Sequence, residues 1–478
     1  MVENDIVWMS ASEVTGGIRT GCFTAADVAE AMIERIQAVN PVINALVHCD
    51  PDRIRRDALA LDARHAAGEP MGPLFGIPYT IKELTPVAGV PHTLGFEVFK
   101  DRIAGEDAIV VERMRAADGL YLGQTNISEA GYCAVSRNRL FGSARNPWNP
   151  ELTAGGSSGG AGAAVASGIG PIAEGTDAGG SIRVPAALNG VVGFKPTTGV
   201  IPSKVLPQRF STSITHGVIG RSVPDVLLML QACWGYDVRD PLARPDRPDV
   251  PALGAEGALT GWRVAYSPDL GFGRVDPEVA AICRQAVGVF AELGADVVEA
   301  TPDWEQVLEA AWSGLMLLGM SGLQGLLDWP AMRGRLDDEL IDLVLASQTH
   351  RAVDVARGEA LRGRVWDAFA VFMSEYRLLV SPTTTEAAFP AEAFAPQSLS
   401  SASLRDRVLA WTLTHPFNMT TSPAISVPCG FTRDGRPVGL QIAGRLHEDA
   451  DVLVAAAAFE TAQPGGTRRP SAGRAERW

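Results

Sequence analysis

GTDAGGSIRVPA, residues Gly175–Ala186, decides how the rest of the chain reads. Ser181 follows Ala178-Gly179-Gly180, so successive backbone N–H groups there are unshielded by large side chains. Such a turn can aim two or three N–H donors at a developing oxyanion, which is often the largest catalytic contribution. A serine hydroxyl remains a poor nucleophile until something takes its proton, and the seven histidines supply no obvious base. Working outward, GGSSGG at Gly155–Gly160 brings a second serine, Ser157, and GIPYTIKE at Gly76–Glu83 brings Lys82. Lysine accepts a proton only when burial or a nearby positive charge brings its pKa toward neutrality. The short apolar run around Ile77, Thr80 and Ile81 reads as a buried strand, which suits a desolvated amine.

Taken singly, each segment has a plainer reading. GGSSGG is typical of flexible linkers, a lysine at a strand end is usually solvated, and GTDAGGSIR can cradle an anion. No GxxxxGK[ST] loop and no SxxK pair of the β-lactamase type is present. Lysine is scarce: only Lys82, Lys100, Lys195 and Lys204 among 41 basic residues. Arginine cannot deprotonate in a protein, so a lysine at position 82 fits a need for a titratable amine, although a coding bias toward arginine explains the scarcity equally well.

Together, the three segments at their spacing resemble the amidase signature family of serine hydrolases. The resemblance runs through most of the chain: TAADVAEAMIERIQAVNPVINALV, LGQTNISEAG at Leu122–Gly131, GSARNPWNP at Gly142–Pro150, VVGFKPTTGVIP and PFNMTTSPAISVPCGFTRDGRPVGLQIAG follow in family order. It implies an α/β fold with a mixed central β-sheet covered by helices on both faces. It also implies a triad of Lys82 as base, Ser157 as relay and Ser181 as nucleophile, with a cis peptide before Ser157. Ser158 becomes a loop-supporting hydroxyl. The implied oxyanion hole is the backbone N–H groups of Ala178, Gly179, Gly180 and Ser181. No cofactor and no metal is expected. Ala178 stands where many members carry threonine, which predicts tuning rather than loss. The glutamine-hydrolysing subunits of tRNA amidotransferases carry an acid where this chain has Trp411, which favours a stand-alone hydrolase with an apolar pocket.

Composition agrees with an enzyme of this kind. The chain has 478 residues, 46% of them hydrophobic and 20% charged, ample for a core. A formal charge of −14 argues against nucleic-acid binding. Six cysteines without CxxC pairs point to reduced thiols in a cytoplasmic setting rather than disulfides or zinc. The acidic start MVENDIVWMSASE does not read as a signal peptide, and no apolar run is long enough for a membrane span.

Periodicity places the motifs. Thr24 and Asp27 resemble a capping box before a helix on which Val28, Met32 and Ile36 repeat. Strands are expected at Ile77–Ile81, Tyr121–Leu122, Ile169–Ala173, Val297–Val298, Leu378–Val380, Ala424–Val427 and Leu440–Ile442. A small-residue helix is expected over Ser158–Ser167. Asp276-Pro277 starts an amphipathic helix with Ile282, Ala286, Val289 and Leu293 inward and Gly294 as its stop. One domain is expected over 1–478, with a catalytic core at about 65–238 and 378–462. A surface crossing is expected at 239–261, and a mostly helical substrate cap at 304–377 whose Leu, Met and Trp residues either line an apolar funnel or pack as core.

Tyr132, Cys133 and Trp411 are the candidate substrate contacts. His447-Glu448-Asp449 reads as a solvated charged turn rather than a metal site, and His92 and His216 have no required role. The expected substrate is a small amide with apolar groups, aryl or aliphatic. Alternatives are a carbamate (urethane) or ester at the same triad, and a glutamine-hydrolysing role within an amidotransferase complex. Oligomeric state is left open, a homodimer included.

Overall fold

The computed structural model of the chain describes residues 6–205, 208–212, 214–246, 250, 254, 257–463 and 468–470. Its strands in chain order are β1 (Leu46–His48), β2 (Pro78–Lys82), β3 (Leu120–Thr125), β4 (Arg145–Asn146), β5 (Asn149–Thr153), β6 (Ile172–Asp177) and β7 (Val192–Lys195). They continue as β8 (Thr215–Gly220), β9 (Arg263–Tyr266), β10 (Asp296–Glu299), β11 (Leu378–Pro382), β12 (Ala424–Phe431) and β13 (Pro437–Gly444). β4 and β5 form a separate two-stranded pair, and the others make one 11-stranded sheet. Its order is β1-β3-β2-β6-β8-β7-β12-β13-β11-β9-β10. The sheet is mixed: β2 runs parallel to β3 and β6, and β9 parallel to β10 and β11, whereas the central ladder from β6 to β11 is antiparallel.

Successive strand residues point to opposite faces, and here both faces are apolar. Val264, Tyr266, Leu378, Val380, Leu440 and Ile442 join one core with residues of the helices Ile109–Ala116, Val223–Cys233, Pro277–Glu292 and Asp449–Ala462. Their neighbours Ala265, Leu379 and Ala443 face the other way, into a core built with Trp304, Phe369 and Phe417. Further along that second face, Ala173 and Ile219 pack against Ala161, Val165 and Ala186 of two short helices, Gly159–Ala166 and Arg183–Asn189. Helices thus cover both faces, as expected for a sheet with buried strands on either side.

The small residues of Gly159–Ala166 are a steric requirement. A Cβ on Gly160 would stand 2.4 Å from the Asn126 backbone nitrogen, so the helix can lie against the end of β3 only as glycine there. Thr24 and Asp27 do form a capping box, on a helix from Ala25 to Ile43. The seven expected strands are present with altered ends. The largest change is at β6, which starts at Ile172 and runs on to Asp177, because its last residues are polar and carry no apolar signal.

Two expectations need correction. The helix Pro277–Glu292 buries Val279, Cys283, Ala286, Val287 and Phe290, while Ile282 and Val289 are only partly buried. Both stripes have helical spacing, and contact with β12 and β13 selects the one containing Phe290. The turn at His447 is not wholly solvated: Asp449 is fully buried and accepts hydrogen bonds from Thr197 N (2.7 Å) and Thr197 Oγ1 (2.6 Å). That carboxylate pins the loop leaving β7. Part of the crossing expected over 239–261 (residues 247–249, 251–253, 255 and 256) lies outside the described residues.

All six cysteines are free, and the buried pair Cys283 and Cys429 has sulfurs 3.9 Å apart. Among the described residues, no helix is long and apolar enough to cross a membrane.

Candidate active site

Lys82 ends β2, whose five residues are all buried. Its neighbour β3 pairs with β2 as far as Lys82↔Thr125, but on the other side the pairing with β6 stops at Thr80↔Ala173. The β2–β6 ladder thus ends two residues before Lys82. Its Nζ lies 2.7 Å from Ser157 Oγ, 2.8 Å from Thr176 Oγ1 and 3.3 Å from Thr176 O. Complete burial lowers the Lys82 pKa from 10.5 to about 7, against the opposing pull of Glu174 and Asp177. A neutral amine there has a lone pair to accept the Ser157 proton.

Ser157 follows a cis Gly156–Ser157 peptide bond and is itself buried. Ser136 Oγ donates to its carbonyl at 2.9 Å, which fixes the loop. Ser158 N donates to Ser181 O at 3.1 Å, tying the Ser157 loop to the turn at Ser181. Ser158 Oγ turns inward toward Thr176 O at 3.4 Å. Ser181 is half-buried and, with Ser157, lines a cleft. No hydrogen bond engages its hydroxyl among the described residues, so Oγ is free to rotate toward Ser157. Catalytic hydrogen bonds are often unmade before substrate binds.

The turn before Ser181 is organised by Asp177. Its Oδ1 accepts from Gly180 N at 2.7 Å and its Oδ2 from Ile182 N at 3.2 Å. Gly180 is therefore a correction to the expected oxyanion hole: its N–H is already committed to the carboxylate. The N–H groups of Ala178, Gly179 and Ser181 carry no such bond among the described residues. Gly180 has φ +127° and room for no side chain, since a Cβ would stand 2.0 Å from Thr414 Oγ1.

Asp177 is paired with Arg183, both fully buried: Nε reaches Oδ2 at 3.0 Å and Nη2 reaches Oδ1 at 2.9 Å. Burial pushes the Asp177 pKa up, but the Arg183 charge and hydrogen bonds, with Asn418, outweigh it and hold the group well below the carboxylate range. Arg183 Nη1 also donates to Thr414 O and Gln441 Oε1, both at 2.8 Å. Sequence reasoning missed this pair. The signal was present in the motif itself, a TDAGGSIR whose acid and base flank the turn.

The cleft encloses about 930 Å³, its open mouth included. Leu84, Ile214, Leu315, Met316, Met320, Leu323, Val408 and Leu409 line it, and no charged side chain among the described residues does. Tyr132 and Cys133 are on its wall. Tyr132 OH is anchored to Asp337 Oδ2 at 3.2 Å, and burial raises the Cys133 thiol to about 12, leaving it a small apolar filler. Trp411 does not line the cleft. It is buried edge-to-face against Phe389 at 5.2 Å, and its neighbours Val408 and Thr412 line the cleft instead.

His92 and His216 stay out of the cleft. His92 Nε2 sits 3.2 Å from Leu84 O, and His216 Nδ1 contacts Glu174 Oε1 at 2.7 Å. Among the described residues, no three His, Cys, Asp or Glu side chains gather as metal ligands would.

Comparison with known proteins places the chain in a family. Residues 27–453 match the family model described as Amidase. The chain is similar to an acylamidase of Rhodococcus erythropolis, 48% identical over 471 residues, covering 98% of this chain and 99% of that one. It is more distantly similar to a glutamyl-tRNA(Gln) amidotransferase subunit of Salinispora arenicola, 33% identical with 96% and 98% covered. Among solved structures, a bacterial aryl acylamidase of the amidase signature enzymes superposes with a TM-score of 0.89 at 31% identity, covering 96% of each chain. The chain therefore belongs to the amidase signature family and is an amidase-type hydrolase related to the acylamidases.

Proposed function

We propose that this enzyme hydrolyses neutral, apolar N-acyl amides, anilides foremost, through a Ser181 acyl-enzyme. The observation that carries this reading is the buried Lys82 Nζ, 2.7 Å from the Oγ of Ser157, which lines a cleft that no charged side chain among the described residues lines. Neutral Lys82 takes the Ser157 proton while Ser157 takes that of Ser181, and Ser181 Oγ bonds to the carbonyl carbon. The N–H groups of Ala178, Gly179 and Ser181 receive the oxyanion. As the C–N bond breaks, Ser157 donates a proton to the departing nitrogen and recovers one from Lys82, because an amine leaves poorly as an anion. Water then attacks the ester by the same relay, releasing the acid and restoring Ser181.

Substrate choice rests with the walls. Leu315, Met316, Met320 and Leu323 come from the helical segment 304–377, which acts as the cap of a single catalytic domain. An apolar wall favours aryl or alkyl groups and gives nothing to the charged head of glutamine. The names of the acylamidase relatives agree with this substrate class. Carbamates and esters present the same carbonyl to Ser181, so urethane cleavage is the companion activity to test.

The test is turnover of p-nitroacetanilide and of a matched p-nitrophenyl carbamate, with S181A alongside. Release of p-nitroaniline by the wild type and not by S181A is expected. Turnover retained by S181A would refute the acyl-enzyme, and carbamate cleavage without anilide cleavage would reassign the enzyme as a urethanase.

A further inference from the structure

Next to Lys82, and not lining the cleft, lies a buried acid–imidazole pair that the proposed relay does not use. Glu174 in β6 is fully buried, as is His216 at 1% exposure in β8. The antiparallel register sets Thr176 opposite His216, which places Glu174 two residues along the same strand from that pair. The carboxylate has three donors: Lys82 N to Oε2 at 3.0 Å, Thr85 Oγ1 to Oε1 at 3.1 Å and His216 Nδ1 to Oε1 at 2.7 Å. His216 Nε2 is buried and has no partner among the described residues.

The bond to Lys82 N has structural meaning. The β2–β6 ladder ends at Thr80↔Ala173, so the Lys82 N–H has no backbone carbonyl of β6 to pair with. A buried N–H without an acceptor is costly. Glu174 supplies the missing rung with its side chain, and the strands can part just where Nζ must reach Ser157. The same carboxylate is a charge held close to Nζ. Among the described residues, the titratable and charged groups facing this spot are Lys82 from β2, Asp177 from the end of β6 (already bound to Arg183), His216 from β8, and the Cys233 thiol from the helix Val223–Cys233. Burial raises that thiol to about 12, so it stays neutral.

We propose that Glu174, held by His216, is a positioning residue for Lys82: it replaces the absent sheet rung and sets the charge that the base faces. This inference rests on Lys82 being the base of the reaction. Glu174→Gln separates charge from shape. The amide oxygen can accept from Lys82 N, and the amide nitrogen can donate to His216 Nδ1 once the imidazole carries its proton on Nε2, which has no partner to lose. Removing the charge removes an attraction that favours protonated Lys82, so the base stays neutral to lower pH. Glu174→Asp keeps the charge but is one methylene too short to span Lys82 N and His216 together.

The experiment is the pH dependence of Ser181 phosphonylation by a small fluorophosphonate, which needs no knowledge of the substrate, in the wild type, E174Q, E174D and K82M. The acid limb of E174Q should move down by about one pH unit, as expected for loss of a nearby opposite charge. E174D should keep the wild-type limb with a plateau at least about tenfold slower, a loss of ~1.4 kcal/mol in barrier terms. An E174Q limb at the wild-type position would overturn the inference. Should E174Q not fold, as judged by circular dichroism, an E174D plateau equal to the wild type would overturn it instead. Full labelling of K82M would sink the Lys82 reading itself, an outcome distinct from either.

Discussion

Replacing Lys82 with methionine (K82M) should raise stability while abolishing catalysis, and the structure gives the size of both effects. Burial holds Lys82 at about 7 against an ordinary 10.5. At about 1.4 kcal/mol per unit, that gap is worth ~5 kcal/mol. Between pH 7 and 10.5 the unfolded chain holds the lysine proton and the folded chain does not, so wild-type stability rises with pH through this window. The burden is full at pH 7 and below, where folding must either strip the proton or bury the charge. Methionine carries no such burden. It does leave Ser157 Oγ and Thr176 Oγ1 without the amine, at a cost of about 1–3 kcal/mol. The net expectation is a variant stabler by a few kcal/mol at pH 7.5, with the margin narrowing by about 1.4 kcal/mol per pH unit toward pH 9.5. Lys195 is also fully buried, its pKa lowered to about 7 first by burial and then by Arg183, but it is common to both proteins and cancels in the difference. Urea unfolding at pH 7.5, 8.5 and 9.5 measures the margin. Turnover of p-nitroacetanilide should fall about 10²–10⁴-fold, as for loss of a general base. A margin that does not change with pH would refute the reasoning, because it would mean that Lys82 holds the same proton folded and unfolded.

The same pKa predicts that wild-type kcat/KM rises with pH through about 7 and levels above it; a profile flat from pH 5.5 to 8.5 would count against a lysine base. Arg183→Met leaves the Asp177 carboxylate buried without its partner and should cost about 3–5 kcal/mol in urea unfolding. A loss under about 1 kcal/mol would show that Asn418 and the turn amides suffice to hold Asp177. Met320→Glu puts a carboxylate on the apolar wall; KM for p-nitroacetanilide should rise about tenfold or more, while labelling of Ser181 by a small fluorophosphonate persists. Equal loss of both would point to a damaged fold rather than a damaged pocket.

What is legible in this chain follows a physical division. The glycines, serines and lysine of the three motifs act through backbone freedom and local chemistry, so their types and spacing carry the signal without the fold. Strands rich in branched apolar residues, such as Leu378–Pro382, announce themselves for the same reason. β7 and β8 do not: VGFK and THGVIG are short, broken by glycine and polar residues, and become strands only because both neighbours supply their hydrogen bonds. Direction is the least legible quantity. Trp411 stands out by position along the chain, but Val408 in the helix Leu404–Leu409 and Thr412 beyond it line the cleft, while the indole packs on Phe389. The Gly180 N–H can be counted from sequence as a donor, but only the fold shows Asp177 already holding it.

Glu174 shows why such gaps matter to function. In the sequence it is one acid before GTD, far from His216 and from Lys82, with no periodicity linking the three. Only the order β2-β6-β8 makes them neighbours, and only the early end of the β2–β6 ladder gives the carboxylate a rung to replace. On the proposal made above, the base at Lys82 depends on a residue of another strand, remote in sequence from the lysine's own motif. If E174Q moves the acid limb, the signature accounts for which groups react, while the sheet's register accounts for the pH at which they can.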